Sequence, residues 1–421
     1  MSSRGFVRLA SYDRDRDATL RARPLRRAER NPRRGAGLRR GRTARRKYLA
    51  NFGAEVIRLE SRLAPDVFRT TYPPFKDGVV KPDRAAMFAF YNDGKRSATL
   101  NLKHPTGVAL ARALIGKADV FVESFTPGTV ARLGLGPETL RADYPGLIVL
   151  SSCNQGQTGP HAFHPGYGSQ LSALAGFVQL LGEPDSTPVL LYGPYIDYIA
   201  VGYGAIAVLA ALERRKRTGV GCTIDLSQYE AGLQFLTPTI LEFAANGRIP
   251  GRAGNADAVA APHGVYRCAG ADRWVALSVW SDAEWAAFGD VTGIDGPATA
   301  PERRAARAQL DRRIGKWMAT RDRDEVVRLL RRRGLRAAPV LTISELFTDA
   351  QLAHRGMWPV VKHPTIGDMH VMAPPFRLST TPSLQVIPGP TVGADNDHVF
   401  GEILGLSPDE RRTLQRDGVF E

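Results

Sequence analysis

Strand-like runs alternate with helical segments over the first half of the sequence, and this order restricts the fold more than any other feature. Runs rich in β-branched and aromatic residues occupy 54–59, 98–102, 119–123 and 147–152. Helical segments between them open at prolines, as at Pro105 and Pro137, because proline is tolerated at the first helical position. Such alternation predicts an α/β fold in which a doubly wound, mostly parallel sheet carries helices on its faces.

A single carboxylate stands at the start of a long apolar helical segment. Gly193 and Pro194 form a turn before Asp197, and the helical run ends in a basic last turn closed by Gly219. A short strand follows at 222–226. Asp197 therefore lies near a helix N-terminus, where free N–H groups and the helix dipole favour negative charge. Taken alone, the stretch fits two roles for Asp197, an ordinary helix cap or an ionised nucleophile.

Composition restricts the class of protein. The 421 residues are enough for two domains, and an apolar content of 43% is ordinary for a soluble globular chain. We expect no apolar run to span a bilayer, and hence no membrane partner. The cysteines, Cys153, Cys222 and Cys268, have no metal-ligand spacing and are odd in number. This pattern predicts reduced thiols in a cytoplasmic protein and no metal site.

The net charge of +15 comes almost entirely from one end of the chain. Residues 1–50 hold 17 Lys and Arg against 4 Asp and Glu, whereas the rest of the chain holds 40 against 38. The body is therefore nearly neutral, and nucleic acid is an unlikely partner for it. Residues 1–46 show no apolar periodicity, which predicts a disordered Arg-rich arm. A nucleic-acid-binding arm and a targeting peptide remain open as roles for it.

Several motifs, in this order, resemble those of the family III CoA-transferases, which include formyl-CoA and carnitine CoA-transferases and acyl-CoA racemases. They are N-D-G-K-R-S (92–97), L-N-L-K-H-P-T-G (100–107), A-D-V-F-V-E-S-F-T-P-G (118–128), L-G-L-G (133–136) and G-Q-T-G-P (156–160). The Asp197 stretch, with A-A-L-E (210–213) and T-G (218–219), falls at that family's spacing. The resemblance covers residues 48–421.

The resemblance implies a domain plan. Residues 47–250 form the first part of a large, Rossmann-like domain that binds CoA, 251–345 form a smaller α/β domain inserted in it, and 346–421 return to the large domain. Family members are interlaced homodimers, so a homodimer is expected. The family's first strand and its Ala-Gly-Pro turn have no counterpart before Tyr48. We therefore hypothesise a wrong reading frame or start site upstream of Lys47.

The resemblance also implies an activity. In the family, the residue that matches Asp197 attacks an acyl-CoA thioester, and CoA passes to a carboxylic acid acceptor through an aspartyl-CoA intermediate. Acyl-CoA and carboxylic acids are then the substrates, and no separate cofactor is needed. An acyl-CoA racemase of the same fold and a catalytically inactive family member are the alternatives.

Five further residues match CoA-binding positions of the family: Arg62, Lys103, Ser124, Phe125 and Arg132. Lys103 and Arg132 suit the CoA phosphates because cations bind phosphate well. Ser124 and Phe125 match an Asn-Phe pair that lines the CoA site. Arg62 adjoins Ser61, which occupies the place of the family's adenine-side arginine.

Two residues bear on the type of reaction. Tyr167 stands where the racemases carry a histidine acid/base, and an ordinary tyrosine, with a pKa of about 10, is a poor substitute at neutral pH. This favours transfer over racemisation. His263 lies where formyl-CoA transferases carry a glycine-rich acceptor loop, which is absent here, so the acceptor is expected to differ from formate or oxalate. A turn histidine is the simpler interpretation of His263. Cys153 is expected to be buried beside a strand end.

Overall fold

A computed structural model describes residues 5–6, 38–39, 44–383 and 387–421. The arm predicted for residues 1–46 therefore lies outside the described residues, apart from 5–6, 38–39 and the backbone of 44–46. The chain divides into two compact units. Unit 1 comprises the described residues up to Ala175, Leu191–Thr237 and His354–Glu421, and unit 2 comprises Gly176–Leu190 and Pro238–Ala353. The segments 176–190, 238–250 and 346–353, which the sequence placed in the large domain, thus belong to unit 2.

Twelve strands occur among the described residues. They are β1 (Gly5–Phe6), β2 (Leu38–Arg39), β3 (Val56–Glu60), β4 (Lys95–Thr99), β5 (Val120–Glu123), β6 (Ile148–Cys153), β7 (Thr223–Ser227), β8 (His263–Arg267), β9 (Trp274–Ser278), β10 (Arg336–Val340), β11 (Val360–His363) and β12 (Gly367–His370).

The α-helices of the described residues come between these strands. They are α1 (Ala44–Asn51), α2 (Val67–Thr70), α3 (Ala86–Tyr91), α4 (Pro105–Ile115), α5 (Thr129–Arg132), α6 (Pro137–Asp143), α7 (Gly168–Leu174), α8 (Tyr195–Thr218), α9 (Gln228–Leu233), α10 (Thr237–Asn246), α11 (Asp282–Thr292), α12 (Ala300–Ala305), α13 (Arg307–Ala319), α14 (Arg323–Arg332), α15 (Ile343–Thr348), α16 (Ala350–His354) and α17 (Pro408–Arg416). A π-helix spans Asp397–Ile403, and short 3-10 turns occupy Lys76–Gly78, Pro82–Arg84, Val178–Leu180 and Gln234–Leu236.

The predicted parallel sheet of unit 1 is present in two pieces. β3 pairs with β4, and β5, β6 and β7 pair in that order, all in parallel. The two pieces share their cores: alternate residues of β3 and β5 enter one hydrophobic cluster on one face and a second cluster on the other. β3 and β5 nevertheless do not pair with each other. β1 and β2 each have Cα atoms within 8 Å of both strands, so they lie between the two pieces.

The outer side of β4 is covered by the end of the chain. Side chains of Asp395 and Asn396 accept hydrogen bonds from the backbone N–H groups of Ser97 and Thr99, at 2.8 Å each. The Thr99 hydroxyl donates to the carbonyl oxygen of Phe420 at 2.8 Å. The end of the chain therefore satisfies an edge that would otherwise present unpaired backbone groups.

Helix α8 is the crossover between the parallel strands β6 and β7. Val208 and Ala211 pack into the cluster beneath the sheet, and Gly219 ends the helix with φ of +73°. By length and composition α8 is apolar enough to cross a membrane, so the expectation that no such run exists was wrong. Packing on the sheet accounts for only part of this apolar character, because 28% of the apolar stretch is buried.

Unit 2 is built on an antiparallel sheet in the order β10-β9-β8. Tyr266, Val275, Leu277 and Ala337 point to one face, where they pack with α11, α13 and α14 in a single hydrophobic cluster. The turn between β8 and β9 contains Asp272 at a φ of +52°, as its turn position predicts.

Three local sequence patterns predict structure that differs from what is observed. N-D-G-K-R-S (92–97) predicts a turn, but the turn ends at Gly94, with φ of +74°, and β4 begins directly after it rather than at Ala98. The pattern of residues 302–318 predicts one helix, whereas the structure has two, α12 and α13, that meet at Ala306. The prolines of residues 61–90 predict a loop, but this stretch contains α2 and most of α3, which are too short to show an apolar periodicity.

Candidate active site

Asp197 lies in the first turn of α8. Its backbone N–H donates to the carbonyl oxygen of Pro194 at 3.0 Å, and Gly193 turns the chain into the helix with φ of +72°. The side chain is half-buried. Because α8 runs back from the end of β6 to the start of β7, its N-terminus lies at the carboxyl edge of the parallel strands. Ligands of open α/β sheets bind at that edge.

The Asp197 carboxylate lies directly against the backbone of Gly168. A Cβ atom added to Gly168 would stand 2.0 Å from Asp197 Oδ2, and 2.5 Å from Cβ of Pro194. Gly168 is buried and is the first residue of α7, so the starts of two helices meet at this carboxylate. Helix N-termini favour negative charge, and the arrangement therefore suits an ionised Asp197. Sequence reasoning missed this role, although Gly168 directly follows Tyr167, which the sequence had singled out.

A pair of tyrosines adjoins the nucleophile candidate. The phenolic oxygens of Tyr91 and Tyr198 lie 2.5 Å apart and join α3 to the first turn of α8. The pKa of Tyr91 is raised mainly by its burial and, to a smaller extent, by the hydrogen bond with Tyr198. Tyr91 therefore stays a neutral hydrogen-bonding group at physiological pH. No sequence motif had pointed to Tyr91, because a hydrogen bond across 107 residues leaves no local pattern.

Four of the five predicted CoA-binding residues follow the carboxyl end of a parallel strand. Arg62 comes after β3, Lys103 after β4, and Ser124 and Phe125 after β5. Lys103 is exposed, and its backbone N–H donates to the side chain of Asn101 at 3.0 Å. Ser124 is half-buried. Parallel strands bring these positions to one edge of their sheets.

Phe125 and Arg132 differ from these in exposure and position. Phe125 is only 1% exposed and belongs to a hydrophobic cluster, and its N–H donates to the carboxylate of Glu123 at 2.7 Å. Its ring is therefore a core residue in this structure, and its backbone remains the candidate for ligand contact. Arg132 ends α5 on the surface and donates to Thr129 Oγ1 at 3.0 Å.

A cleft of about 430 Å³ opens beyond the end of β3. Arg62 lines it and donates to the carbonyl oxygen of Val392 at 3.2 Å. Ser61, Lys81, Asp83 and Arg84 also border the cleft, and Arg84 pairs with Asp77 at 2.9 Å. The cations Arg62, Lys81 and Arg84 outnumber Asp83, which gives the cleft a cationic rim. Such a rim suits a phosphorylated ligand. Lys81 and Arg84 were not singled out by sequence, since they lie in a proline-rich stretch without a recognisable motif.

A buried ion network forms the floor of this cleft. Both carboxylate oxygens of Glu60 accept from Arg69 at 2.8 Å, and Arg69 also donates to Asp83 at 3.0 Å. Arg58 pairs with Asp66 next to it, and the Phe88 ring lies under the Arg69 guanidinium at 3.4 Å. Burial alone would raise the pKa of Glu60, but Arg69 and Arg58 outweigh it and hold that pKa below its ordinary value. Glu60 is therefore an anion at neutral pH.

Cys153 and two loop histidines are further titratable side chains of unit 1. Cys153 ends β6, and burial raises the pKa of its thiol to about 11, which excludes an easily formed thiolate. The His161 and His164 rings lie 4.6 Å apart on an exposed loop. Among the described residues no group of three or more His, Cys, Asp or Glu could hold a metal ion.

Comparison with known proteins identifies relatives along most of the chain. A family profile described as "CoA-transferase family III" matches residues 41–396. The alpha subunit of succinyl-CoA–L-malate CoA-transferase from Chloroflexus aurantiacus is 32% identical over 87% of this chain and 86% of its own. Mouse succinyl-CoA:glutarate CoA-transferase is 28% identical over 89% and 85%.

A solved structure resembles this fold closely. A CAIB/BAIF family protein from Brucella suis superimposes with a TM-score of 0.78 and 28% identity, covering 87% of this chain and 97% of that one. The match extends over the mixed α/β architecture with its parallel strands.

Proposed function

The chain belongs to CoA-transferase family III, and from this membership we propose that it moves coenzyme A between carboxylic acids through a covalent intermediate on Asp197. The observation that carries the proposal is the position of the Asp197 carboxylate, packed against Gly168 where two helices begin. A carboxylate kept ionised at that place can act as a nucleophile.

The proposed reaction has four balanced steps. An Asp197 oxygen attacks the thioester carbonyl of the donor, and the carbon–sulfur bond breaks to release CoA thiolate and leave a mixed anhydride. The thiolate then attacks the aspartyl carbonyl, which frees the donor acid and forms an aspartyl-CoA thioester. The acceptor carboxylate attacks that thioester and expels the thiolate again. Attack of the thiolate on the acceptor carbonyl of the new anhydride gives the product acyl-CoA and restores Asp197.

We assign the nucleotide end of CoA to the cleft beyond β3. Its cationic rim, with Arg62, Lys81 and Arg84, matches the negative charge of the CoA phosphates. Lys103 and Arg132 add two exposed cations after β4 and β5. The backbone at Ser124 and Phe125 follows the same edge. A Rossmann-like organisation of unit 1 agrees with this assignment, since such sheets bind ligands beyond their carboxyl ends.

The substrates are inferred from the relatives. Succinyl-CoA is the donor named for the Chloroflexus and mouse relatives, and L-malate and glutarate are the acids named with it. We therefore propose succinyl-CoA as donor and a short dicarboxylic acid as acceptor. The racemase alternative requires a histidine where this chain has Tyr167, which is 66% exposed. Transferase activity of the purified wild-type protein would exclude the alternative of an inactive family member.

We also propose a homodimer. In unit 1, α8 exposes Tyr203, Ile206 and Leu209 on one side. In unit 2, α10 exposes Ile240, Leu241 and Phe243. Exposed apolar residues that follow one another along a helix are typical of protein interfaces. Light scattering on the purified protein tests this. A dimer has a mass of 91.8 kDa, whereas a measured mass of 45.9 kDa, that of one chain, would contradict the proposal.

We propose the cytoplasm as the location of the protein, because the cysteines Cys153, Cys222 and Cys268 are free thiols.

The proposal is tested by replacing the nucleophile. Asp197→Ala leaves the fold intact, because a change in the first turn of a helix costs only about 1 kcal/mol. It should abolish transfer from succinyl-CoA to every acid tried. Turnover of the alanine variant at the wild-type rate would contradict the mechanism.

A further inference from the structure

The end of strand β6 is tied to the segment of chain that leads into α7. β6 is the middle strand of the β5-β6-β7 piece of the sheet, and Asn154 directly follows it. The side-chain Nδ2 of Asn154 donates to the carbonyl oxygen of Gly166 at 2.9 Å. Gly166 lies two residues before Gly168, against whose backbone the Asp197 carboxylate packs. All four residues belong to unit 1, so one amide links its sheet to the backbone beside the nucleophile.

The main chain of Asn154 is held as well as its side chain. Its carbonyl oxygen accepts from the backbone N–H of Tyr229, the second residue of α9, at 2.9 Å. α9 in turn packs against both α7 and α8. Asn154 therefore lies where the end of β6, the start of α9 and the approach to α7 meet. An amide that is held at its base in this way can place its hydrogen bond precisely.

The loop that Asn154 restrains is largely exposed. Of residues 158–165, all but Ala162 are exposed. The cap of α7 is a local contact, in which the Tyr167 N–H donates to Gln170 Oε1 at 3.0 Å. This cap shapes the first turn of the helix and does not fix the position of that turn relative to the sheet. The amide of Asn154 does join the two.

We propose that Asn154 is a positioning residue for the reaction at Asp197. Its amide holds the carbonyl group of Gly166, and with it the backbone of Gly168 against which the carboxylate packs. A nucleophile must lie about 3–3.5 Å from the carbon that it attacks, in the right orientation, so a shift of this backbone changes the rate directly. The inference rests on the proposed function and extends it to a residue outside the motifs that resemble the family.

The test measures how fast the aspartyl-CoA adduct forms when the full-length protein is mixed with saturating succinyl-CoA. Asn154→Ala removes the donor of the hydrogen bond. The rate constant should fall about tenfold or more, because a misplacement of about 1 Å can cost about a hundredfold. The KM for succinyl-CoA should not change, since the cleft assigned to the nucleotide lies beyond β3.

Asn396→Ala is the matched control for a loss of stability. Asn396 also ties a distant segment to a strand of unit 1, because its side chain accepts from the Thr99 N–H at 2.8 Å and donates to Thr99 Oγ1 at 2.9 Å. This variant loses two hydrogen bonds, so it should lower Tm at least as much as Asn154→Ala. It should nevertheless form the adduct at the wild-type rate. If both variants slow the adduct equally, the effect is a general loss of stability and the proposal is overturned.

Asn154→Asp separates the hydrogen bond from the shape of the side chain. An ionised carboxylate cannot donate to the Gly166 carbonyl oxygen, whereas a protonated carboxyl group can. At pH 7 this variant should therefore be at least as slow as Asn154→Ala. With an ordinary pKa of about 3.9 for the introduced carboxyl group, its rate relative to wild type at the same pH should rise about threefold between pH 7 and pH 4.5. A relative rate that is the same at both pH values would overturn the proposal.

A double-mutant cycle with Gly168→Ala tests whether Asn154 acts through this backbone. If it does, the double variant should be about as slow as the slower of the two single variants. Effects that multiply would show that the two residues act independently, which also overturns the proposal.

The wild-type protein distinguishes the two levels of inference. If it forms no adduct, the proposed function fails, and the role of Asn154 fails with it. If the wild type forms the adduct and Asn154→Ala forms it equally fast, the proposed function stands and the positioning role is overturned.

Discussion

The carboxylate of Asp197 occupies the space in which Gly168 would carry a side chain. Oδ2 lies 2.0 Å from the position of a Cβ atom on that glycine, far inside van der Waals contact. The absence of a side chain at Gly168, 29 positions earlier in the chain, therefore leaves the room that this carboxylate occupies. Any residue other than glycine must move the carboxylate or the start of α7.

Gly168→Ala should therefore inactivate the enzyme without unfolding it. A displacement of the nucleophile by about 1 Å costs about a hundredfold in rate, and we expect a loss of at least that size in kcat. Gly202→Ala is the matched control, because Gly202 lies on the exposed side of α8 and a Cβ there meets no atom within 4 Å. Steady-state assays and circular dichroism on both variants check the prediction. Equal kcat values for Gly168→Ala and Gly202→Ala would show that the contact has no role.

Arg62→Gln should weaken recognition of the nucleotide end of CoA. We expect the KM for succinyl-CoA to rise about tenfold, because a charge-assisted hydrogen bond to phosphate is lost. Succinyl-pantetheine lacks the nucleotide, so its KM should be the same in wild type and variant. If Arg62→Gln raises both KM values equally, Arg62 does not lie at the nucleotide.

The buried network beneath the cleft should dominate the stability of unit 1. Arg69→Met removes the main partner of the buried Glu60 carboxylate and leaves it with the more distant Arg58, 3.7 Å away, so we expect the free energy of unfolding to fall by about 3–5 kcal/mol. Arg412→Met, which removes an exposed partner of Asp409, should change it by less than about 1 kcal/mol. Urea unfolding at pH 7 measures the free energy of unfolding of both variants. A similar loss for Arg69→Met and Arg412→Met would contradict the prediction.

The same network predicts a pH dependence. The pKa of Glu60 is lower in the folded protein than its ordinary value of 4.5, so the folded state binds a proton at Glu60 less readily than the unfolded chain does. Its contribution is therefore fully present above pH 4.5 and is lost as the pH falls through the folded pKa. When the pH is lowered below 4.5, the urea concentration at the unfolding midpoint should decrease more steeply for the wild type than for Arg69→Met. Equal slopes for the two proteins would contradict the prediction.

The division of the parallel sheet predicts that a further strand would stabilise unit 1. β3 and β5 share two hydrophobic clusters but do not pair, and β1 and β2, which lie between them, pair with each other rather than with β3 or β5. Backbone groups at the edges of β3 and β5 therefore favour an added strand in place of β1 and β2. Replacing residues 1–46 by a β-branched strand and an Ala-Gly-Pro turn should therefore raise Tm and specific activity. Deletion of residues 1–46 without replacement is the control. Equal Tm and activity for the original and the replaced chain would contradict the prediction.

Much of unit 1 could be predicted because its signals are local. The run D-V-F-V-E predicted a strand at 119–123, and β5 occupies Val120–Glu123. The turn at Gly193 and Pro194 and the stop at Gly219 fixed the ends of α8, and with them the place of Asp197 in its first turn. These elements depend on neighbours within a few residues, which a sequence pattern contains.

The rest depended on contacts between distant parts of the chain. Nothing near Gly168 indicates that Asp197 will lie against it. His263 on β8, Ser278 on β9 and Arg336 on β10 become neighbours only once three strands, separated by up to 73 positions, have adopted their register. His263 was interpreted as a turn histidine for this reason. Phe125 stays a predicted CoA-site residue, and the packing of its ring in the core was not predictable, because a short sequence pair does not indicate which atoms face a ligand.

The covalent intermediate is the central claim, and mass spectrometry of the Asp197 peptide tests it most directly. Wild-type protein is mixed with succinyl-CoA in the absence of an acceptor acid, quenched in acid and digested. We predict that the peptide containing Asp197 gains the mass of CoA less water, that hydroxylamine removes the adduct, and that glutarate added before the quench discharges it to glutaryl-CoA. Formation of glutaryl-CoA at the full rate with no adduct on that peptide, or an adduct on another residue, would contradict the account.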